Sequence, residues 1–216
     1  MSKKPIVGKK NDKVKDTKKN ERAETSRFLM TKEHHKDTYL EAKAIGRMDN
    51  DFIPLCDYII KTKNYFTSSS CAGRIALIGL GEEETKQESA FYRKWHRTVK
   101  ESEVIEAVRD FSGAVLWFKQ EPLILHLGTN NIENAKKILT LCEKVGIKRA
   151  GIKVAKDGKF IAEILGTQNI NAPIKQGKMI VSDDYLKYLV KKGNEKFKKN
   201  QELIEKLYKE TKKELK

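Results

Sequence analysis

The chain has 216 residues, enough to bury a sizeable core without disulfides or metal ions. Its 45 Lys and Arg against 30 Asp and Glu leave a net charge of +15, an excess typical of proteins that bind nucleic acid. With 35% charged residues and no apolar run near the ~20 residues of a spanning helix, the sequence excludes a membrane protein. No apolar segment follows the Lys-rich start, so no secretory signal is expected, and three scattered cysteines indicate reduced thiols in the cytoplasm.

The positive charge is concentrated at the two ends. Residues 1–27 carry ten basic and four acidic side chains, and residues 191–216 carry ten and five. Because residues 1–27 lack apolar periodicity, we expect a basic, disordered N-terminal arm ahead of a single folded domain over 28–216. Both ends are expected to contact nucleic-acid phosphates without sequence preference.

The first half of the chain predicts helices on either side of an apolar strand. Helical spacing of apolar residues predicts helices over 28–46 and 51–61. The small-residue segment 68–73 predicts a loop that leads into an apolar strand over 74–80. Ser102 is a suitable N-cap for the helix that follows.

The second half predicts further strands and helices. Strands are predicted at 114–118 and 123–127 around a Glu121–Pro122 turn, followed by a helix at 131–145. A hairpin at 150–165 turns at Asp157–Gly158. A short strand at 179–181 then precedes a long basic helix over about 183–216, for which Ser182 is the N-cap. Since helices and strands do not strictly alternate, the prediction is an α+β fold, with a mixed sheet flanked by helices.

A dinucleotide-binding or methyl-donor fingerprint is suggested by the glycine-containing strand that ends at Gly81. It fails because the third glycine of that motif is replaced by Glu84, and Glu82 to Glu84 would repel an anion. The sequence therefore predicts an ordinary strand that ends in a glycine turn at this point.

Polar groups gather in the segment from Ser68 to Arg74, which holds several hydroxyls, the thiol of Cys71 and a guanidinium. Such a loop can wrap a polar or anionic ligand, with Arg74 holding a carboxylate. A plain solvated Ser-rich loop explains the same composition equally well.

Other candidate residues each have a structural alternative. Trp95-His96-Arg97 combines stacking and charge, as single-stranded nucleic-acid binding requires, but Trp is also a common core residue. His126 lies on the strand face opposite Leu125, and a catalytic or a structural role fits it equally. Cys71 as a nucleophile is less favoured than Cys71 as an inert residue. The cysteines and histidines lack metal-ligand spacing, so no metal is expected.

At these residues the chain resembles the tRNA wybutosine-synthesizing protein 3 family of archaea and eukaryotes. The resemblance covers about residue 30 to the end and rests on blocks in the same order. The blocks are Asn64-Tyr65-Phe66-Thr67-Ser68-Ser69-Ser70-Cys71-Ala72-Gly73-Arg74, Lys94-Trp95-His96, the Trp117–His126 segment with its Glu121-Pro122 pair, and Asn194. Asp49 resembles the acidic residue ahead of the family's second helix, whereas Ser68 and Ala72 depart from the family pattern.

The resemblance implies an S-adenosylmethionine-dependent methyltransferase without a Rossmann fold. It would methylate the N(4) nitrogen of a wyosine-type tricyclic guanosine beside the anticodon of phenylalanine tRNA. The Lys- and Ile-rich composition indicates an archaeal source. On this basis we expect three groups of site residues. They are the cofactor-binding set Ser69, Ser70, Cys71, Gly73 and Arg74, the substrate-binding set Trp95, His96, Trp117, Lys119 and Asn194, and the proton-acceptor candidates His126 and Glu121.

Two other classes of function remain open at this level. A non-catalytic tRNA-binding protein would need only the basic ends, and the polar loop would then be incidental. A His-dependent RNA hydrolase would use His96 and His126 as an acid–base pair and would need no methyl donor.

Overall fold

A computed structural model describes residues 9–83 and 85–216, with the side chains of 9–21 and 86 left out. The helices are α1 (Lys9–Ala44), α2 (Ile53–Ile59), α3 (Glu101–Asp110), α4 (Ile132–Lys144) and α5 (Asp183–Glu214), with short 3-10 helices at Asn50–Phe52 and Lys86–Glu88. The strands are β1 (Tyr65–Cys71), β2 (Arg74–Leu80), β3 (Ala90–Trp95), β4 (Val115–Glu121), β5 (Ile124–Thr129), β6 (Arg149–Lys156), β7 (Lys159–Leu165), β8 (Ile170–Gln176) and β9 (Lys178–Met179).

The strands form two antiparallel sheets. The four-stranded sheet has the order β1-β5-β7-β6, and the five-stranded sheet has the order β3-β2-β4-β8-β9. The chain crosses between the sheets from β1 to β2, from β4 to β5 and from β7 to β8, and the first two crossings are tight turns at Ala72–Gly73 and Pro122–Leu123. These two turns bring the ends of both sheets to one place.

Helix α5 packs against both sheets. Its first half contributes Leu186, Leu189 and Val190 to the core between the five-stranded sheet and α3. Its second half contributes Ile204 and Leu207 to the core formed by the four-stranded sheet, α2 and α4. The amphipathic pattern of α5 therefore stabilises two cores at once.

Several predictions from the sequence are confirmed. The α+β class and the long C-terminal helix are as expected, and the Ser182 side chain accepts a hydrogen bond from the Tyr185 backbone N–H at 3.2 Å. The β6–β7 hairpin turns at Asp157–Gly158, where Gly158 has a φ of +72° that favours glycine. No helix among the described residues is long and apolar enough to cross a membrane.

Other predictions differ from the structure. The strands form two antiparallel sheets where one mixed sheet was expected, and the segment 68–73, expected to be a loop, is mostly strand β1. The three serines of β1 are partly buried or exposed. They come after the buried half of the strand, Tyr65–Thr67, and lie towards the open end of the sheet. Helix α3 begins at Glu101 with Lys100 as its N-cap, two residues before the expected N-cap Ser102.

The N-terminal arm expected over 1–27 overlaps helix α1. Residues 9–27 belong to this helix, while residues 1–8 lie outside the described residues. Phe28, where the folded domain was expected to begin, is buried and packs its ring 6.0 Å from that of Phe66. The α1 backbone at Glu24 also approaches the β6–β7 turn, where a Cβ on Gly158 would lie 2.7 Å from the Glu24 carbonyl oxygen.

Shortening a buried side chain in the second half of α5 should destabilise the whole molecule. Leu207 is fully buried, so Leu207→Ala is expected to lower the free energy of unfolding by about 2–5 kcal/mol through lost burial and a cavity. Urea denaturation followed by circular dichroism measures this change. Lys206→Ala removes an exposed side chain from the same turn and should change stability by less than about 0.5 kcal/mol. Equal effects of the two substitutions would contradict the assigned packing.

Candidate active site

Three distant segments meet at the inter-sheet end of the molecule. Asp49 precedes the first 3-10 helix, Cys71 ends β1, and His96 follows β3. The Asp49 Oδ1 atom lies 2.8 Å from the His96 Nδ1 atom, and the Cys71 Sγ atom lies 3.8 Å from the same nitrogen. The other Asp49 oxygen, Oδ2, accepts a hydrogen bond from the Ala72 backbone N–H at 2.7 Å. The carboxylate is thus held from both sides.

The Asp49–His96 pair orients the imidazole. A carboxylate at 2.8 Å favours the tautomer in which Nδ1 carries a proton and donates it to Asp49. The Nε2 atom then presents a lone pair that can accept a proton from a bound molecule. With 35% of its side chain exposed, His96 is accessible, whereas Asp49 at 13% is largely shielded. This is the arrangement of a general base with an orienting carboxylate.

The Cys71 thiol next to this pair is not activated. Burial raises the pKa of Cys71 to about 11, with the nearby carboxylate of Asp49 adding to the effect. A thiol with this pKa is protonated at neutral pH, and the thiolate is the nucleophilic form. Cys71 is therefore better described as a neutral residue that lines the site than as a covalent nucleophile. The sequence favoured the same inert role.

Gly73 is required by the turn that carries Cys71. Its φ is +95°, a conformation that L side chains rarely adopt. A Cβ at this position would also lie 2.6 Å from both the Glu121 carbonyl oxygen and the Asn200 side-chain nitrogen. The turn between the two sheets can therefore form this closely only with glycine.

The predicted residues Arg74 and Glu121 form an ion pair with each other. They are directly paired residues on β2 and β4, and the Arg74 Nε–H donates to the Glu121 Oε2 atom. Arg74 also places its guanidinium carbon 4.6 Å from the centre of the Phe91 ring. Because the two side chains already pair with each other, this contact would compete with proton acceptance by Glu121 and with carboxylate binding by Arg74.

The predicted proton acceptor His126 lies in a separate cluster on β5. Its Nε2 atom is 3.1 Å from the Glu163 Oε2 atom, and the Lys153 ammonium lies 3.0 Å from Oε1 of the same carboxylate. The hydrogen bond from His126, and then that from Lys153, lowers the pKa of Glu163. His126 is directly paired with Ser69 on β1, so it borders the Ser-rich strand, but it does not join Asp49 and His96.

Comparison with known proteins shows the family. The family described as methyltransferase TYW3 matches residues 15–213 of this chain. The chain belongs to this family. A Pyrococcus abyssi protein named tRNA(Phe) 7-((3-amino-3-carboxypropyl)-4-demethylwyosine(37)-N(4))-methyltransferase 1 is 38% identical over 170 residues, which cover 75% of this chain and 88% of that protein. An Archaeoglobus fulgidus protein named as the corresponding N(4)-methyltransferase is also 38% identical, covering 78% of this chain and 85% of its own length.

Solved structures agree with the family assignment. The PH1069 protein of Pyrococcus horikoshii is 31% identical and superposes with a TM-score of 0.80, covering 86% of this chain and 96% of that protein. A hypothetical protein from Aeropyrum pernix is 27% identical, with a TM-score of 0.66 over 75% of this chain and 96% of its own. The TYW3 fold is therefore shared over most of the chain.

In this TYW3 family member, the remaining predicted residues occupy different surroundings. Ser69 and Ser70 lie on β1 beside β5. Trp95 is half-buried and packs against the core under the five-stranded sheet, whereas Trp117 and Lys119 lie on the opposite, open face. The Asn194 side chain accepts from the Val99 N–H at 2.9 Å and donates to the Val99 carbonyl at 2.8 Å, so it anchors the segment that follows His96.

Sequence reasoning noted Asp49 but did not include it among the site residues. The signal was its position ahead of the second helix, and nothing local linked it to His96, 47 residues later. Asp49, Cys71 and His96 also present ligand-type atoms within 4.8 Å of one another, a spatial cluster that sequence spacing could not reveal. That the reaction needs no metal stays a prediction.

The raised pKa of Cys71 predicts slow alkylation. Since only the thiolate reacts, labelling by iodoacetamide should be slow at pH 8 and rise about tenfold per pH unit up to pH 10. Mass spectrometry of the intact protein measures the rate. Cys56 and Cys142 are fully buried, so Cys71→Ser should abolish native-state labelling. Rapid labelling of Cys71 at pH 7 would instead show an activated nucleophile.

Proposed function

We propose that this protein is an S-adenosylmethionine-dependent methyltransferase that methylates the N(4) nitrogen of a wyosine-type tricyclic guanosine next to the anticodon of phenylalanine tRNA. The observation that carries the proposal is the Asp49–His96 pair beside Cys71, located in a chain of the TYW3 methyltransferase family. The names of the archaeal relatives support the same substrate. Such a reaction on tRNA places the protein in the cytoplasm.

The cavity between the two sheets suits the methyl donor. It measures about 330 Å³ and is lined by Cys71 and Arg74 at one side and by Arg149, Asn169 and Asn171. Arg149 makes no ion pair among the described residues, so its guanidinium is available for the carboxylate of the donor. The two amides can hydrogen-bond the edge of a nucleobase, while Leu165 offers an apolar surface for its face.

The chemistry of the proposed step is a proton transfer coupled to an in-line displacement. S-Adenosylmethionine, when bound, supplies a methyl group on a sulfonium. The S–CH₃ bond would break as the N(4)–CH₃ bond forms, with release of S-adenosylhomocysteine, and the proton of N(4) would pass to the Nε2 atom of His96. Asp49 stabilises the resulting imidazolium through the hydrogen bond at Nδ1. The neutral Cys71 thiol forms part of the wall and takes no proton.

The proposal assigns the proton to His96, although the sequence favoured His126 and Glu121 as acceptors. His96 has an orienting carboxylate at the end of the inter-sheet turn, next to the cavity that Cys71 lines. His126 and Glu121 remain candidates for contacts with the tRNA or the donor. Glu121 is paired with Arg74, and His126 is paired with Glu163 as His96 is with Asp49, but the His126 pair lies on β5 and β7, away from the cluster of Asp49, Cys71 and His96.

The first experiment measures tritiated methyl transfer from S-adenosylmethionine into phenylalanine tRNA isolated from a strain that lacks this enzyme. We expect label in a single nucleoside, identified by digestion and mass spectrometry, and full transfer in the presence of EDTA. Binding of tRNA without transfer would indicate a non-catalytic module. Cleavage of RNA without the methyl donor would indicate a hydrolase.

The assignment of His96 as the proton acceptor is tested by comparing two histidines. His96→Ala and Asp49→Asn should lower turnover by about 10²–10⁴-fold, because proton removal in the transition state is lost. The affinity for S-adenosylmethionine, measured by calorimetry, should change little. His126→Ala is the matched control and should retain turnover within severalfold. A larger loss in His126→Ala than in His96→Ala would transfer the role to His126.

A further inference from the structure

The open face of the five-stranded sheet has its side chains arranged in rows. Ile78 on β2 is directly paired with Phe91 on β3 and with Trp117 on β4, so the two rings flank one apolar side chain. Directly paired residues on adjacent strands point to the same face. With strands ~4.8 Å apart, the Phe91 and Trp117 backbones lie about 10 Å from each other.

A row of lysines lies next to this aromatic row. Ala76, two residues before Ile78 on β2, is paired with Lys94 on β3 and with Lys119 on β4. The Lys94 ammonium is 5.8 Å from the centre of the Phe91 ring, and the Lys119 ammonium is 6.0 Å from that of Trp117. Ala76 itself is fully buried between them.

Aromatic rings beside basic side chains on an open antiparallel sheet suit unpaired nucleotides. Each base has a face that can stack on an aromatic ring, and lysines can contact the phosphates. Phe91 is 45% exposed and carries the Arg74 guanidinium 4.6 Å from its ring centre. A depression of about 420 Å³ covers the aromatic row and extends to Glu121. Helices α3 and α5 pack on the opposite face, through Ile75 and Leu77 among others.

The aromatic row is too far from the Asp49–His96 pair to hold the reacting base. Ile78 is four residues from Arg74 along β2, or about 13 Å at 3.3 Å per residue. Arg74 follows directly on the turn that carries Cys71, whereas a reacting nitrogen must lie within about 3 Å of its proton acceptor. A base stacked at the Phe91–Trp117 row is therefore a neighbour of the target in the RNA chain.

We propose that this open face binds unpaired tRNA nucleotides next to the target base. Phe91 and Trp117 each stack one base, and the lysines of the adjacent row contact the phosphates between them. The β2–β3 loop limits the path of the RNA at the far end, because Glu82, Glu83 and Glu88 are exposed there and repel phosphate. The inference rests on the proposed tRNA substrate and adds a subsite that the chemistry itself does not require.

The test is the affinity for a fluorescein-labelled RNA with the unmodified anticodon stem-loop sequence of phenylalanine tRNA, measured by anisotropy at fixed salt. Phe91→Ala should weaken binding roughly 5- to 150-fold, the effect of losing one stacked base. Phe91→Tyr keeps a ring and should bind within about twofold of the unmodified protein. The affinity of Phe91→Ala for S-adenosylmethionine should not change.

Tyr188→Ala is the matched control, because Tyr188 is 52% exposed and has the Lys192 ammonium 5.6 Å from its ring centre, but lies on α5. The inference is overturned if Phe91→Ala weakens RNA binding no more than Tyr188→Ala does, if the stem-loop is not bound at all, or if donor affinity falls by the same factor as RNA affinity. Binding is measured here without any reaction. A failure of the proposed methyl transfer would therefore appear only in the tritium assay.

The lysine row provides a second readout. Replacing Lys94 and Lys119 together by Ala should make the dependence of log Kd on log salt shallower by about 1.4, the loss of two single-strand phosphate contacts. Lys136 and Lys137 on α4 are exposed and provide a control pair with the same change in charge. Equal changes of slope in the two double variants would contradict a specific role for the row.

Discussion

One carboxylate connects the parts from which the site is built. Asp49 bonds His96 at the end of the five-stranded sheet through one oxygen, and the Ala72 N–H in the turn between the sheets through the other. The segment that joins α1 to α2 supplies this carboxylate. Because an unpaired carboxylate in this shielded position would be costly, both hydrogen bonds must form together. The orientation of the imidazole therefore depends on correct docking of both sheets.

Charge pairing then decides which side chains stay available for chemistry. Arg74 pairs with Glu121 at the ends of β2 and β4, and His126 pairs with the Glu163 carboxylate that also binds Lys153. In both pairs the two residues lie directly opposite each other on adjacent strands. His96 resembles His126 in having a carboxylate on one ring nitrogen, but its open Nε2 atom belongs to a cluster that includes Cys71 at the turn between the sheets. Charge pairing thus removes Arg74 and Glu121 from the candidates for proton transfer, and position in the fold distinguishes the two histidines.

Local signals predicted the elements but could not predict how they meet. The Ser182 cap and the Asp157–Gly158 turn act within a few residues, so the sequence showed α5 and the β6–β7 hairpin. The strand β3 has exposed polar residues at an edge and no alternating pattern, and β1 carries three serines where it leaves the core. The Asp49–His96 contact depends on the paths of both sheets, which no local pattern encodes.

The net charge of the chain does not predict the aromatic and lysine rows on the open face of the five-stranded sheet. Most of the +15 belongs to the two ends of the chain, so the nearly balanced body carries no charge excess that would indicate RNA binding. The antiparallel register nevertheless places Lys94 and Lys119 on either side of Ala76, one row from Phe91 and Trp117. A shift of one residue in either pairing would turn these side chains to the opposite face. Affinity from the basic ends requires only charge, whereas stacking of unpaired bases beside phosphate contacts requires this register.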